Sequence, residues 1–264
     1  MNIRIALGFD EGYYAINREE RNLAAIFYHL LQQRSNLNNF LNLTKYQFPV
    51  IEDEVAIYFE YAYLRDLWFN IDRRHGETES RNTVKRNVIL DFLQPSNHEE
   101  LKSMSVLEFN SYFGAVPSPS PFYIQSPGNW SIRSYYRTIK DKDEFFNVSK
   151  FKWCFNAKPD IVIHTTRNHA ICIEAKLESK EGKYPSNESE KKIFAGKDLP
   201  LVGQLEIQKK IMGELLGIQT QFIFLVQYGP DTFDPGILTW KSVFSSMDTT
   251  DCPTFMKEWI NRLD

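Results

Sequence analysis

The sequence predicts an α/β protein in which a mixed central sheet is flanked by helices and carries a helical insertion. Three observations lead there. Residues 18–34 repeat apolar side chains at Leu23, Ile26, Phe27, Leu30 and Leu31, the spacing of one helix face. Residues 151–156, 160–166 and 169–177 are short β-prone runs, the last two separated by a turn at Arg167 and Asn168. An amphipathic segment over 201–216 and an apolar run over 221–228 follow, and such an order of strands and helices builds a sheet between helical layers.

In chain order, Asn17 is a candidate cap for the first helix, with Glu20 three residues on as in a capping box. Residues 53–70, 80–93 and 98–113 read as helices, the last with Asn97 as N-cap, Glu100 at the box position and Gly114 as the stop. The segment from Gly114 to Pro127 carries four prolines and cannot continue a helix, so it reads as a connector that Phe122, Tyr123 and Ile124 can anchor. Gly217 ends the 201–216 helix. The run 221–228 has the apolar continuity of a strand buried on both faces. Three regions are expected: a first core helix region over 1–34, a helical insertion with its Pro-rich connector over 35–130, and a core with a C-terminal helix over 131–264.

Composition narrows the class. Hydrophobic residues make up 42% and charged residues 25% of 264 residues, enough apolar material for a sizeable core in a soluble protein. No apolar run is long enough to span a membrane, and the first ten residues make a poor signal peptide. Cys154, Cys172 and Cys252 are odd in number and lack zinc-ligand spacing, which fits a reducing, cytoplasmic location. The net charge of −3 argues against a simple polycationic nucleic-acid binder. Within it, residues 131–220 carry +4 and the remainder −7.

The chemistry concentrates on the 160–177 hairpin. Alternation along a strand puts Glu174 and Lys176 on one face and Ile173, Ala175 and Leu177 on the other. Asp160 opens the preceding strand after Pro159, and a hairpin centred at 167–168 sets Asp160 opposite Ala175, to within a residue or two. Two carboxylates and an ammonium therefore converge at one strand end. Close carboxylates repel unless something neutralises them, and a hard divalent cation such as Mg²⁺ is the natural partner. Such an ion lowers the pKa of a bound water and stabilises charge at phosphorus, while a lysine can orient or deprotonate the water or balance the developing charge.

Pro159-Asp160 followed by Glu174-Ala175-Lys176 across an apolar hairpin resembles the PD-(D/E)XK nuclease superfamily, the restriction endonuclease-like fold. The likeness covers residues 18–34 and about 150–228. It implies that Asp160, Glu174 and the Ala175 carbonyl are metal ligands and that Lys176 is the catalytic lysine. It also points to an acid on the first helix followed by apolar residues three and seven later. Glu20 with Leu23 and Phe27 fits as that acid and as a further metal ligand, and Glu19 competes for the place. Gln204 matches a glutamine that some exonuclease-like branches carry on the helix after the lysine strand, although Gln208 stands where they have Tyr.

The resemblance thus implies a nuclease using Mg²⁺, with Mn²⁺ able to substitute, that cleaves phosphodiester bonds. DNA is the first expectation, in restriction, phage defence, repair or mobile-element biology, and a homodimer making paired cuts fits the family. An RNA- or single-strand-directed nuclease and a catalytically idle nucleic-acid-binding module of the same fold are the alternatives. The bland readings are an ordinary charge pair on a surface hairpin for Asp160, Glu174 and Lys176, a capping residue for Glu20 and a solvated helix residue for Gln204. Glu178 reads as a rim charge, Lys209 and Lys210 as solvated or phosphate-facing, and Arg133, Tyr135 and Tyr136 as core residues or a base clamp.

Overall fold

The computed structural model describes residues 3–6, 19–177, 181–229, 232–233 and 236–261. The expected roles of Asn17 and Glu178 lie outside these residues. Helix α1 (Glu20–Leu31) forms where the apolar spacing predicts, burying Leu23, Ala24, Phe27, Leu30 and Leu31. Glu19 holds its N-cap position without a side-chain cap bond. Helix α2 (Arg34–Leu43) follows and buries Leu37, Phe40 and Leu41.

Eight strands occur among the described residues: β1 (Ala56–Phe59), β2 (Ile161–Thr166), β3 (His169–Ala175), β4 (Lys183–Tyr184), β5 (Val202–Gly203), β6 (Gln219–Val226), β7 (Thr232–Phe233) and β8 (Gly236–Thr239). Six of them form one mixed sheet in the order β1-β2-β3-β6-β8-β7, and β4 pairs with β5 separately. Strands β1, β2 and β3 run antiparallel in turn, whereas β3, β6 and β8 are mutually parallel.

The chain forms two units: Met1–Tyr61 with Pro159–Lys180 and Ile218–Asp264, and Ala62–Lys158 with Glu181–Gly217. Residues 131–158 and 181–217, read from sequence with the core, thus belong to the second unit. The first unit contains α1, α2 and the six-stranded sheet. Its core joins Leu23, Phe27 and Leu30 of α1 to Ile161 and Ile163 of β2, Ile171, Ile173 and Ala175 of β3, and Ile223 and Leu225 of β6. Phe27 lies at its centre, edge-on to Phe40 at 5.0 Å, Trp240 at 6.2 Å and Phe244 at 6.3 Å. Burying each such side chain stabilises the fold by about 1.5–3 kcal/mol.

The second unit is mainly helical, with helices at Tyr63–Arg74, Thr78–Leu93, His98–Ser103, Val106–Tyr112, Lys142–Cys154, Glu188–Gly196 and Gln204–Lys209. The last continues as a π-helical turn over Lys210–Leu215 and stops at Gly217, whose φ of 66° takes the left-handed conformation that a stop glycine supplies. Rings dominate this core: Phe113 stacks on Trp130 at 4.1 Å, and Phe145 meets Phe194 at 5.5 Å.

Four expectations are corrected. Residues 53–70 contain strand β1, because the β-branched and aromatic run from Val55 to Phe59 pairs with β2 at the sheet edge, and the helix starts only at Tyr63. Residues 151–156 end a helix instead of forming a strand. Asp141 accepts the Glu144 N–H at 2.8 Å upstream, and Phe145 and Val148 carry a buried helical face into Phe151. The 98–113 helix breaks at Met104, where Ser105 and Glu108 form a capping box that starts a second helix; Asn97 occupies the first N-cap position without a cap bond. Finally, β6 is fully buried only at Ile223 and Leu225, since β8 pairs with Ile223–Val226 alone and leaves residues 219–222 at an edge. From Ala170 on, β3 is the strand buried on both faces.

Candidate active site

The site grows out of the β2–β3 register. Ile161 pairs with Ile173 and Val162 with Cys172, one residue away from the predicted pairing, so continuing the ladder sets Asp160 against Glu174. One face of this pair turns Ile161, Ile163, Ile171 and Ile173 into the α1 core. Alternation therefore gives the other face to Asp160, Val162, Cys172 and Glu174. The two acids share a face.

Each acid is held from the backbone or by a charge. Asp160 Oδ2 accepts the Ala175 N–H at 2.7 Å, and its carbonyl accepts the Glu60 N–H at 2.8 Å. Glu174 is buried at 3% exposure, and the Lys176 ammonium donates to its Oε1 at 2.5 Å. Lys176 Nζ also lies 3.7 Å from Glu20 Oε1, while Glu20 Oε2 accepts the Leu177 N–H at 2.9 Å. The first turn of α1 is thus tied to the end of β3 through Glu20. The Lys176 backbone is fixed as well, its N–H donating to the Leu225 carbonyl at 2.7 Å and its carbonyl accepting the Trp240 indole N–H at 3.0 Å.

These surroundings set the protonation states. Burial, reinforced by the Glu174 charge, pushes the Asp160 carboxyl up to about 7, against the lowering effects of the Ala175 N–H and Lys176. Burial pulls Lys176 down, but Glu174, Glu20 and Asp160 outweigh it and raise its pKa above the ordinary lysine value. Lys176 is therefore an ammonium at neutral pH. Burial also raises the nearby Cys172 thiol, so that it stays protonated and poorly nucleophilic.

Asp160, Glu174, Lys176 and Glu20 are thus brought together, with the Ala175 backbone between the two acids. Glu19 is exposed, and Glu20 is the acid that reaches the strand end. Gln204 belongs to the second unit, where it opens the helix Gln204–Lys209 and donates its N–H to the Gly182 carbonyl at 2.9 Å. Tyr135 is a core residue whose hydroxyl lies 3.0 Å from Ser149 Oγ. Tyr136 is half-buried, Arg133 is exposed and donates to Asn187 at 3.2 Å, and Lys210 pairs with Glu214 at 2.5 Å.

Two neighbours escaped sequence reasoning. Trp240 fixes the Lys176 carbonyl from a helix far along the chain, a contact no local pattern could signal. Glu60 sits in the left-handed region at φ 47°, hydrogen-bonds the Asp160 backbone and pairs with Arg21 at 2.9 Å. A non-glycine residue in that conformation stores strain of order 1–3 kcal/mol, and Lys45, Gln94 and Asp198 adopt it elsewhere in the chain.

Among the described residues, no three His, Cys, Asp or Glu side chains are gathered as a ready metal cage. The donor types nevertheless fit a hard cation: two carboxylates on one face, one raised by burial and by its neighbour's charge, beside the main chain of Ala175. No helix among the described residues is long and apolar enough to cross a membrane, and the three cysteines are buried and form no disulfide. No family model, no curated protein and no solved structure matches the chain.

Proposed function

We propose that this chain is a divalent-metal-dependent nuclease that hydrolyses phosphodiester bonds, with DNA as its first substrate and Mg²⁺, replaceable by Mn²⁺, as its cofactor. The observation that carries the reading is the meeting of Asp160, Glu174 and Lys176 at one strand end, with Glu20 bracing Lys176. The sequence resemblance to the PD-(D/E)XK superfamily adds to it.

In this reading Asp160, Glu174 and the Ala175 carbonyl hold the ion. When bound, Mg²⁺ supplies positive charge that acidifies a coordinated water and polarises the phosphate. Lys176 remains protonated, so it acts by orienting the attacking water and by balancing charge on the phosphoryl oxygens, and proton abstraction falls to solvent. The water oxygen forms the new bond to phosphorus, the bond to the leaving oxygen breaks, and that oxygen takes up a proton. Glu20 keeps the ammonium in place and holds the strand end through the Leu177 N–H. A preorganised donor of this kind contributes about 10²–10³ in rate.

The test is incubation of the purified chain with plasmid, single-stranded DNA and RNA, in Mg²⁺, Mn²⁺ or EDTA. Metal-dependent products that disappear in both Asp160→Ala and Lys176→Ala support the proposal. Binding without cleavage under every metal rejects it in favour of an idle nucleic-acid-binding module.

A further inference from the structure

The Pro-rich connector of the second unit is fastened down from inside. Buried Asn110 donates to the Ser120 and Tyr123 carbonyls, both at 2.8 Å, and accepts the Gln125 N–H at 3.0 Å. Gln125, itself buried, accepts the Ser120 N–H at 2.8 Å and donates to the Ser118 carbonyl at 3.2 Å. Asn82, on the helix Thr78–Leu93, donates to the Phe122 carbonyl and accepts the Ile124 N–H, both at 2.9 Å. These side-chain amides hold the segment's backbone much as a strand partner would.

The same segment nevertheless turns two rings outward. Phe122 is 74% exposed and Tyr123 54%, while Ile124 between the clamps is fully buried. Looseness does not explain the exposure, because the peptide groups on both sides are fixed. Rigid exposed rings are low-entropy contact surfaces, ready to cover a flat apolar partner.

Their surroundings carry charge. Phe122 and Tyr123 border a cavity of about 400 Å³ whose other walls include Arg81, Lys85 and Asp72. The Lys85 ammonium is almost fully buried, 2.7 Å from Asp72 Oδ1 and 5.1 Å above the Trp68 ring. Arg81 lies at the cavity wall, donating to Thr78 Oγ1 at 3.0 Å. Asp72 takes up the Lys85 charge, so at this wall Arg81 is the cation that can meet an anion beside the two exposed ring faces, the pairing that an unstacked nucleobase and its phosphate require.

We infer that Phe122 and Tyr123 form a stacking platform for an unpaired base of a nucleic-acid strand, with Arg81 meeting the adjoining phosphate. The choice of nucleic acid as ligand rests on the nuclease reading. The platform makes the chain prefer single-stranded or locally opened substrate over intact duplex.

The test is fluorescence titration of the full chain with a single-stranded oligonucleotide carrying 2-aminopurine, in EDTA so that nothing is cut, against the same strand in duplex. Wild type is expected to quench the probe and to bind the single strand more tightly. Phe122→Ala/Tyr123→Ala should weaken single-strand binding about tenfold or more and leave the melting temperature unchanged, as both rings are exposed, while Phe122→Trp should restore binding alongside Tyr123. Equal single-strand affinity in wild type and the double alanine variant overturns the platform, as does a wild type that does not quench the probe. Platform-dependent binding by a wild type that never cleaves would end the nuclease reading alone, and cleavage that survives loss of the rings with unchanged binding would end the platform alone.

Discussion

The Lys176 ammonium donates to the buried carboxylate of Glu174 at 2.5 Å, from a position two residues along the same strand direction. Removing one member of a buried ion pair leaves the other unsatisfied, at a cost of about 3–5 kcal/mol. Lys176→Met should therefore lower the melting temperature of the metal-free protein as well as reduce phosphodiester cleavage by about 10²–10³-fold. Adding Glu174→Gln removes the stranded charge, so the double variant should recover much of the stability and none of the activity. A double variant that melts as low as Lys176→Met would show that the lysine stabilises by packing and not by pairing.

Asp160 gives a pH dependence of definite sign. Its folded-state pKa of about 7 lies above the ordinary carboxylate value, so between roughly pH 4 and 7 the native state binds more protons than the unfolded chain. Stability from this group is therefore fully present at low pH and is lost as pH rises towards 7. In EDTA, Asp160→Asn should melt higher than wild type at pH 8, and the difference should shrink at pH 5. Added Mg²⁺ should raise the wild-type melting temperature at pH 8 and leave the Asn variant unmoved, because only a ligand that binds the native state stabilises it. A wild type more stable at pH 8 than Asp160→Asn, without metal, would contradict the burial argument.

How much of this was legible follows from the range of each interaction. Asp160, Glu174 and Lys176 could be grouped because strand alternation and hairpin pairing are local, and the register came out one residue from expectation. The helical face of Leu23, Phe27 and Leu30 was equally local. Strand β1 was not legible, because its β character depends on an edge position beside β2, about a hundred residues later in the chain. Phe151 to Phe155 misled for the opposite reason: aromatic residues of high β propensity lie on a helix that Asp141 had already started upstream. The indole bond from Trp240 to Lys176 spans 64 residues and leaves no periodic trace.

The identity of the helix acid can be tested by charge alone. Glu20→Gln keeps a carbonyl oxygen for the Leu177 N–H but removes the negative charge near Lys176. The variant should fold and bind metal, yet cleave about 10–100-fold more slowly, as expected for a residue that positions a catalytic group. Glu19→Gln should cut at the wild-type rate. Equal losses in the two variants would mean that general charge near the first turn matters, and not the contact with the strand end.

Trp240 tests whether the lysine needs a fixed backbone. Its ring is buried against Phe27 and stacks on Phe244 at 5.7 Å, so Trp240→Phe retains most of the aromatic packing. What it removes is the N–H that the Lys176 carbonyl accepts, leaving that carbonyl short of a partner. The expected loss of stability is about 0.5–1.5 kcal/mol, the net worth of one such bond, plus a contribution from the smaller ring. A floor under the lysine that has become mobile should appear in turnover more than in affinity: kcat should fall severalfold with KM little changed, since in the proposed reaction Lys176 acts on charge that develops at phosphorus. Histidine restores a ring N–H in a smaller frame, so Trp240→His should recover part of the rate even though it packs less well. Should Trp240→Phe cleave as fast as wild type while melting lower, the indole would be a core residue only, and the position of Lys176 would be set by Glu174 and Glu20 without its help.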